Sequence, residues 1–392
     1  MKSPVIKVGI KTAKEISLRP VGEEIEVADV AIGEGFHFGH QATLRYRGTV
    51  RIIPDGEGNV VAINEIPLEE YLQSVVSSEM NPDAPIEFIK AHLIISRSWL
   101  LSQLYPTEYP GQCTETERET IRWYDRDAHQ LYDVCSTDHC QRYHGHTYPI
   151  KPSVREAWKA TEGLVLTYGG EIVDARFSKC CGGAMEKFST CWQPTDMPYL
   201  QGLADAEPQQ QIDLSDETAA QRWIESEPEA FCANPPESLL RVILNNFDRN
   251  TPHLYRWTVE YSADELAEIV RSRTGLDYGL ILSLTPLHRG TSGRIDRLEI
   301  RGTKLTRIIG KELEIRRSLS PSHLYSSAFV AYPQEVDSEG VPQRWTIRGA
   351  GWGHGVGLCQ IGAAVMAQQD YGYREILQHY FPGTRLTPIE EI

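Results

Sequence analysis

Residues 66–101 are IPLEEYLQSVVSSEMNPDAPIEFIKAHLIISRSWLL, and their apolar side chains recur with the period of an α-helix. The first apolar run extends from Leu68 to Met80, where Asn81-Pro82-Asp83 interrupts it. A second amphipathic run extends from about Pro85 to Leu104, and proline is favoured in the first turn of a helix. This stretch therefore predicts two amphipathic helices joined by a tight break.

The segments around this helix pair differ in character. Residues 1–65 alternate apolar and polar side chains, and the turn at Gly56–Asn59 is typical of a β-hairpin, so this segment is predicted to be strand-rich. Residues 66–203 hold the helix pair and a loop rich in cysteine and histidine, and we expect them to form the catalytic core. Residues 204–255 are acidic and rich in Pro, Gln and Ala, which favours an inserted helical segment. Its predicted helices lie around Glu217–Glu225 and Pro236–Asn245.

The last segment, residues 256–392, mixes helical and extended patterns. A helix is predicted near Ala263–Arg273 and a strand near Arg344–Arg348, before a glycine-rich loop and a helix from about Leu358 to Gln369. Together the segments predict an α+β fold. Its mixed sheets surround two central amphipathic helices and end in a strand, a Gly-rich loop and a helix.

Composition excludes several classes of function. The chain has 392 residues, with 39 Lys and Arg against 54 Asp and Glu, so its net charge is −15 at pH 7. This acidic surplus repels polyanions and argues against nucleic acid as a partner. No apolar stretch approaches the roughly 18–20 residues that cross a bilayer, so no transmembrane segment is expected. The N-terminus as given, MKSPVIKVGIKTAKE, contains no secretory signal because lysines interrupt each apolar run.

Glu79 is the strongest candidate for a catalytic group. It lies four residues after Val75 and three after Val76, on the apolar stripe of the first predicted helix. Burial disfavours the ionised carboxylate, and so does the negative end of the helix dipole, so we expect a raised pKa. A carboxylic acid that stays protonated near neutral pH is what protonation of a glycosidic oxygen requires.

A structural role for Glu79 is the alternative. Arg97 lies four residues after Leu93 and three after Ile94, on the inner face of the second predicted helix. A buried Glu79–Arg97 ion pair would lower the pKa of the carboxyl instead of raising it.

A second constellation is a set of metal-ligand residues in HQLYDVCSTDHCQRYHGH, residues 129–146. His129, Cys135, His139 and Cys140 are the ligand types that tetrahedral zinc prefers, although their spacing matches neither a zinc finger nor a zinc ribbon. A small Cys135–Cys140 disulfide with ordinary surface histidines is the alternative. His144 and His146 could also compete as ligands.

A third signal is FSKCCGGAMEKFSTCW, residues 177–192, which contains Cys180, Cys181 and Cys191. A thiol nucleophile needs a nearby base, and only His354 could supply one from elsewhere in the chain. Inert buried thiols, or a disulfide from Cys191 to one of the vicinal pair, are better interpretations than cysteine catalysis.

The Gly-rich loop and helix, GAGWGHGVGLCQIGAAVMA, occupy residues 349–367. The motif lacks the GK[ST] ending of a phosphate-binding loop and the βαβ unit of a dinucleotide-binding fold, so no organic cofactor is expected. We expect the loop to line a groove in which Trp352 stacks on a sugar and His354 and Gln360 form hydrogen bonds. Alternatively, the glycines only allow the helix to pack tightly on the sheet.

The helix-pair segment resembles the hallmark of the SpoIID family (stage II sporulation protein D and its LytB amidase-enhancer relatives), in which a Pro-Leu-Glu-x-Tyr-Leu helix ends near a glutamate. Further similar motifs follow in the family's order over about residues 60–390: CQRYHG, FSKCCGG, TSGRIDRLEIRG, IRRSLSPSHLYSSAF, GWGHGVGLCQIGAAVMA and YREILQHYFPGTRL. The sequence departs from the commoner family pattern at SSEM, residues 77–80, and at the Cys180-Cys181 pair.

The resemblance implies a peptidoglycan lytic transglycosylase that acts on glycan strands without stem peptides. Such an enzyme cuts between N-acetylmuramic acid and N-acetylglucosamine and leaves a 1,6-anhydro product. The family's acid/base falls on Glu79, and its carboxy-terminal motif makes Trp352, His354 and Gln360 substrate-binding candidates. Ser178 and Arg97 complete the predicted substrate-binding set.

The resemblance also bears on the metal site, the location and the partners. Some members bind zinc near the groove through a His and Cys set arranged like His129, Cys135, His139 and Cys140, which implies a structural zinc ion here. The substrate implies an extracytoplasmic location. The amidase-enhancer branch implies an alternative, a non-catalytic protein that binds glycan and stimulates a cell-wall amidase.

Overall fold

A computed structural model describes residues 4–104, 113–123, 129–245, 248–251 and 254–392. The N-terminal segment is rich in strands, as predicted. Its strands are β1 (Val5–Ala13), β2 (Leu18–Val21), β3 (Glu24–Ile32), β4 (His40–Tyr46), β5 (Thr49–Pro54) and β6 (Val60–Pro67). β5 and β6 pair antiparallel on either side of the predicted turn, where the Asp55 amide donates to the Asn59 carbonyl at 3.0 Å.

The predicted helix pair is present as α1 (Leu68–Glu79) and α2 (Ile86–Leu104). The break between them is a tight turn in which the Ala84 amide donates to the Asn81 carbonyl. The amphipathic character predicted for the second helix is wrong, because α2 is buried on all sides from Ala91 to Leu101. Neighbouring elements cover every face of α2, and its polar side chains find partners inside the protein.

The remaining elements alternate short strands with helices. Up to residue 191 they are β7 (Thr114–Glu115), β8 (Glu119–Ile121), β9 (Val134–Cys135), α3 (Pro152–Thr161), β10 (Leu164–Tyr168), β11 (Glu171–Ile172), β12 (Phe177–Ser178) and α4 (Phe188–Cys191). The acidic segment contains α5 (Glu217–Glu225) and α6 (Glu237–Ile243), close to the predicted helices, and a 3₁₀ turn at Asp248–Asn250.

The C-terminal part completes the α+β fold. Its elements are β13 (Arg256–Ser262), α7 (Ala263–Thr274), β14 (Ile281–Arg289), β15 (Ile295–Gly302), β16 (Thr306–Gly310), α8 (Glu312–Ser318), β17 (Phe329–Val336), β18 (Pro342–Ala350), β19 (Leu358–Cys359), α9 (Gln360–Gln368), α10 (Tyr373–Tyr380) and β20 (Arg385–Pro388), followed by a 3₁₀ turn at Ile389–Glu391. In the part of the chain that the structure describes, no helix combines the length and the apolar character needed to cross a membrane.

The strands form small mixed sheets. In hydrogen-bonded order these are β5-β6-β1-β9, β2-β3-β4, β11-β10-β20, β12-β19, β13-β18-β17 and β14-β15-β16-β8-β7. The mixture of antiparallel hairpins with the parallel pairs β1-β9, β16-β8 and β12-β19 confirms the predicted fold class.

Apolar side chains collect in a large core around α2 and in a second core. The second core draws on residues 257–347, whereas Trp352 to Phe381 return to the large core. The acidic segment also packs on the large core, through Phe231, Leu239 and Ile243. The last predicted segment, residues 256–392, is thus divided between the two cores.

The parallel pair β12-β19 positions the candidate site. Phe177 lies opposite Leu358 and Ser178 opposite Cys359, which places the FSKCCGG segment beside the Gly-rich loop. The Cys180 and Trp352 backbones exchange two hydrogen bonds, of 3.0 and 2.8 Å, just beyond the pair. Segments more than 170 residues apart in the chain therefore form one wall next to the end of α1.

Candidate active site

A cavity of about 430 Å³ brings most of the predicted site residues together. Besides the predicted metal ligands His139 and Cys140, its lining includes five of the six predicted catalytic and substrate-binding residues: Glu79, Ser178, Trp352, His354 and Gln360. They come from the end of α1, from β12, from the Gly-rich loop and from the start of α9. The volume falls in the range of about 300–1,000 Å³ that is typical of small-molecule sites.

Glu79 is the last residue of α1 and is buried, with 7% of its surface exposed. Its Oε1 accepts a hydrogen bond from the Arg142 backbone amide at 2.9 Å. The helix ends here because Met80 is already extended, with its amide bonded to the Val76 carbonyl. The carboxyl is thus held at a fixed position in the cavity wall, at the negative end of α1.

The surroundings of Glu79 shift the pKa of its carboxyl in opposite directions. Burial raises the pKa of the Glu79 carboxyl, the positive charges of Arg142 and Lys179 oppose this shift, and the Asp138 carboxylate adds to it. Burial prevails, so the pKa lies above its ordinary value. The direction is the one expected from the apolar stripe on the helix.

Below Glu79 lies a buried charge network that the sequence did not predict. Lys179 donates to the Glu79 carbonyl at 3.0 Å and pairs with Asp248, also at 3.0 Å. Asp248 pairs with Arg142 at 3.0 Å as well, and Asp138 is a further partner of Arg142. The network fixes two cations close to the carboxyl and compensates them with two carboxylates.

The predicted substrate-binding residues differ in what they offer. Ser178 Oγ is buried and has no hydrogen-bond partner among the described residues, so it can serve a ligand. His354 Nδ1 accepts the Val356 amide at 3.0 Å, and burial holds the pKa of His354 well below its usual value. Its neutral ring therefore carries its proton on Nε2. The Gln360 amide nitrogen lies 3.0 Å from His92 Nε2.

Aromatic side chains form much of the cavity wall. Trp352 is 4% exposed and packs among His37, Phe38 and Tyr325, so it forms a wall rather than an open stacking platform. Trp192 also lines the cavity. The Arg176 guanidinium lies over its ring at 4.2 Å, and the His354 ring meets it at 4.9 Å.

Arg97 does not line this cavity, which corrects its predicted role in substrate binding. Its fully buried guanidinium forms a bidentate ion pair with Glu69, in which Nε and Nη2 donate to the two carboxylate oxygens at 2.8 and 2.7 Å. It also donates to the carbonyls of Thr161 and Leu164, both at 3.0 Å. The alternative Glu79–Arg97 pair is wrong for the same reason, since Glu69 occupies the guanidinium.

The Cys and His constellation forms a compact cluster beside the cavity. The four candidate donor atoms all lie within 4.8 Å of one another. His129 Nε2 is 3.2 Å and His139 Nδ1 is 3.4 Å from Cys140 Sγ, and His139 Nδ1 is 3.9 Å from Cys135 Sγ. Tetrahedral zinc with bonds of about 2.0–2.3 Å separates its ligand atoms by roughly 3.3–3.8 Å, so this donor set fits such an ion. His144 and His146 do not belong to the cluster.

The other cysteines do not form the predicted pairs. Cys191 Sγ contacts the His354 carbonyl at 3.6 Å, and burial raises the pKa of this thiol well above its usual value. Cys181 Sγ lies 3.6 Å from Cys232 Sγ instead of near Cys191. Cys191 is therefore not the activated thiol that cysteine catalysis would require.

Sequence reasoning missed Arg142, Lys179, Asp248 and Trp192. Arg142 and Lys179 stand inside the quoted motifs CQRYHG and FSKCCGG, where the cysteines and histidines attracted the interpretation. A buried acid requires nearby compensating charge, and a search of these motifs for cations could have found both residues. Asp248 lies in the acidic segment, where nothing in the pattern distinguishes it from other carboxylates.

Comparisons with known proteins match two parts of the chain to family models. The stage II sporulation protein (SpoIID) family matches residues 56–168, and a domain of unknown function (DUF8618) matches residues 186–357. The first match contains α1, α2, Glu79 and the Cys and His cluster, and the second contains most of the Gly-rich loop.

Relatives align along most of the chain. An uncharacterized protein of Brachyspira hyodysenteriae is 25% identical over 350 residues, which cover 89% of this chain and 74% of that protein. The amidase enhancer of Bacillus subtilis is 24% identical, with 81% of this chain and 40% of the enhancer covered. Stage II sporulation protein D of the same organism is 22% identical, with 83% and 76% covered. The family model and these relatives agree with the quoted motifs and support the assignment of the chain to the SpoIID and amidase-enhancer family.

Proposed function

We propose that this protein acts on the bacterial cell wall as a lytic transglycosylase. It cleaves the β-1,4 bond between N-acetylmuramic acid and N-acetylglucosamine in glycan strands from which the stem peptides have been removed. The observation that carries the proposal is Glu79, a buried carboxyl with a raised pKa in a cavity that it shares with Ser178, Trp352 and His354. Names such as amidase enhancer and stage II sporulation protein D among the relatives support a role at the cell wall.

Glu79 suffices as both acid and base. The protonated carboxyl gives its proton to the bridging oxygen as the glycosidic bond breaks. The resulting carboxylate then takes the proton of the muramic C6 hydroxyl, whose oxygen attacks the anomeric carbon and closes the 1,6-anhydro ring. Arg142 and Lys179 help the first half of this cycle, because their charges stabilise the carboxylate that proton donation produces.

The cavity has the chemistry that a muramic acid strand requires. Trp192 and Trp352 supply apolar wall surface against which a sugar can pack, and Ser178 Oγ supplies an unused hydroxyl. Arg316 and Arg317 add guanidinium groups to the lining, where they pair with Glu312 and Glu314 respectively. Removal of the stem peptide exposes the lactyl carboxylate of each muramic acid, and cationic side chains favour that anionic form of the strand.

A zinc ion held by His129, Cys135, His139 and Cys140 is part of the proposal. The donor types and their spacing suit zinc, which would act structurally, since a lytic reaction needs no metal-bound hydroxide. Cys140 stands two residues before Arg142, whose amide holds Glu79. The metal site would therefore hold the loop that orients the acid. A Cys135–Cys140 disulfide, which would bind no metal, is the alternative.

The proposed location is extracytoplasmic, because the substrate lies outside the cytoplasm. The proposed partner is the glycan strand itself. The amidase enhancer among the relatives supports one further candidate, a non-catalytic protein that binds glycan and stimulates a cell-wall amidase. This chain spans 40% of the length of that enhancer.

The test is product analysis by mass spectrometry after incubation with peptide-free glycan. We expect anhydro-muramyl products from the wild type and none from Glu79→Gln, since the amide keeps the shape of the acid but has no proton to give. Glu70→Gln is the matched control, because Glu70 is exposed on the same helix and its loss should leave the products unchanged. Activity should fall as the pH rises through the raised pKa of Glu79, because the proton donor is then lost.

Other outcomes reject the proposal. Products with ordinary reducing ends would identify a hydrolase. Stimulation of an added amidase without anhydro products would establish the enhancer function instead. Circular dichroism and glycan binding of Glu79→Gln must match the wild type, and a variant that unfolds would indicate a structural role for the carboxyl.

A further inference from the structure

We propose a second metal site, buried behind the cavity wall and formed by Cys181, Asp205, Cys232 and Cys359. Its donor set, three thiols and one carboxylate, suits a thiophilic divalent cation such as zinc. The site is separate from the Cys and His cluster and does not depend on the proposed function. None of its residues lines the cavity.

The donor spacing is that of a single tetrahedral ion. The four donor atoms all lie within 4.8 Å of one another. Cys181 Sγ is 3.6 Å from Cys232 Sγ and 3.3 Å from Asp205 Oδ2. With bonds of about 2.3 Å to sulfur and 2.0 Å to oxygen, a tetrahedral zinc ion separates its ligand atoms by roughly 3.5–3.8 Å. Both measured distances lie close to that range.

Asp205 is oriented as a metal-binding carboxylate is. The residue has no exposed surface, and its Oδ1 accepts a hydrogen bond from the Tyr380 hydroxyl at 2.8 Å. His379 Nε2 lies 3.3 Å from the same oxygen. These contacts direct Oδ2 to the thiols, and outer hydrogen bonds of this kind fix ligand orientation in metal sites. The Cys181 thiol, 3.3 Å from Oδ2, compensates this buried carboxylate oxygen less well than a cation would.

Cys359 receives the hydrogen bonds that a thiolate ligand needs. It caps the N-terminus of α9, and its Sγ accepts backbone amides from Cys181 at 3.2 Å and Gly362 at 3.4 Å. Residue 362 must be glycine for the Asp205 carboxylate to lie this close to the start of α9, because a Cβ there would lie 2.6 Å from Asp205 Oδ2. The backbone thus leaves room for a carboxylate and a sulfur at the same helix end.

Disulfide formation is the competing chemistry. Cys180 also lies beside Cys232 and Cys359, so a Cys181–Cys232 bond with a Cys180–Cys359 bond would use the same thiols. That pairing gives no role to Asp205 or to its hydrogen bonds with Tyr380 and His379. The convergence of a held carboxylate on three sulfurs is what favours the metal.

A metal ion at this site would stabilise the cavity wall by cross-linking the segments behind it. Cys181 follows Ser178 and Lys179 along the chain, and Cys359 directly precedes Gln360. Cys232 comes from the acidic segment, which also supplies Asp248 to the network under Glu79. One ion would therefore join three segments whose neighbours build the site.

The test is zinc content by inductively coupled plasma mass spectrometry on protein purified without chelators. Cys232→Ser should lose one equivalent of zinc relative to the wild type, whereas Cys191→Ser, which removes a buried cysteine outside both clusters, should lose none. Cys140→Ser should retain the zinc of the second site. Asp205→Asn should weaken retention against a chelator.

X-ray absorption of the wild type at the zinc edge keeps the test independent of how the variants fold. A filled second site contributes three sulfurs and one oxygen, so the average sulfur count exceeds the two that the Cys and His cluster can give alone. An average of two or fewer, loss of all zinc in a folded Cys140→Ser, or a Cys181–Cys232 disulfide found by non-reducing peptide mass spectrometry would overturn the proposal.

Discussion

Asp248→Asn tests whether the buried charge network both stabilises the fold and tunes the proposed acid. Asp248 has no exposed surface and contacts Lys179 and Arg142, each at 3.0 Å. The amide is nearly isosteric with the carboxylate but carries no charge. Lys179 then loses the carboxylate of its ion pair, and Arg142 keeps its pair with Asp138.

The expected loss of stability is large. Removal of one partner from a buried ion pair leaves an uncompensated charge and costs about 3–5 kcal/mol. Asp277→Asn is the matched control, because its pair with Lys304 has both side chains more than half exposed. Exposed pairs contribute about 0–1 kcal/mol, and asparagine can still accept the Gly279 amide at this position.

The pH dependence of the loss has a definite sign. Burial raises the pKa of Asp248, but Lys179 and Arg142 outweigh it and hold the pKa below its ordinary value. The stability that this carboxylate gives is therefore complete above the pKa of unfolded aspartate and is lost as the pH falls through the lower, folded pKa. The difference between wild type and Asp248→Asn should shrink in acid.

Glu79 should respond to the same substitution. Without Asp248, the charges of Arg142 and Lys179 act on Glu79 with less compensation, which lowers the pKa of Glu79. The high-pH limb of transglycosylase activity should then move to lower pH in Asp248→Asn, while Asp277→Asn leaves it in place.

Urea unfolding at neutral and acidic pH measures the first effect, and the pH profile of anhydro-product formation measures the second. A loss for Asp248→Asn no greater than for Asp277→Asn would refute the description of a buried network. A stability loss with an unshifted pH limb would show that the network does not tune Glu79.

Two further predictions concern neighbouring positions. Glu69→Ala should destabilise the protein by about 3–5 kcal/mol in urea unfolding, because it leaves the buried Arg97 guanidinium without its carboxylate, whereas Glu70→Ala, exposed on the same helix, should change stability little. Ser178→Ala should leave stability within about 0.5 kcal/mol but raise the KM for glycan up to about tenfold with kcat unchanged, as loss of one hydrogen bond to substrate implies. A lower kcat at constant KM would contradict the binding role.

Local patterns were enough to predict the helix pair and much of the fold class. The periodic run that predicted a helix from Leu68 to Met80 corresponds to α1, Leu68–Glu79, and the hairpin around Gly56–Asn59 is present. The burial of α2 on all sides could not be predicted, because its polar face is covered by segments far along the chain. Periodicity reports which residues share a face, not what packs against that face.

The same limit applies to the candidate site. Glu79 was predictable because its own helix carries the apolar stripe that buries it. Arg97 was misassigned because its partner is Glu69, which lies on the other helix of the pair. Glu69 stands ten residues before Glu79, at the edge of the apolar stripe of α1. Partner choice between buried charges depends on how two helices are aligned, which neither helix specifies by itself.

Chemistry in this protein thus separates into a local part and a long-range part. The carboxyl is supplied by α1, but the groups that set its pKa and position are distant in the chain. Arg142 lies 63 positions after Glu79, Lys179 lies 100 positions after it, and Asp248 lies about 170 positions after it. A relative could keep the glutamate and lose Lys179 or Asp248, and its acid would then have a different pKa in the same fold. Retention of Glu79 alone therefore does not distinguish an enzyme from an enhancer. The proposed mechanism also depends on the network beneath it, because a catalytic carboxyl needs both its protonated and its ionised form to be accessible near neutral pH.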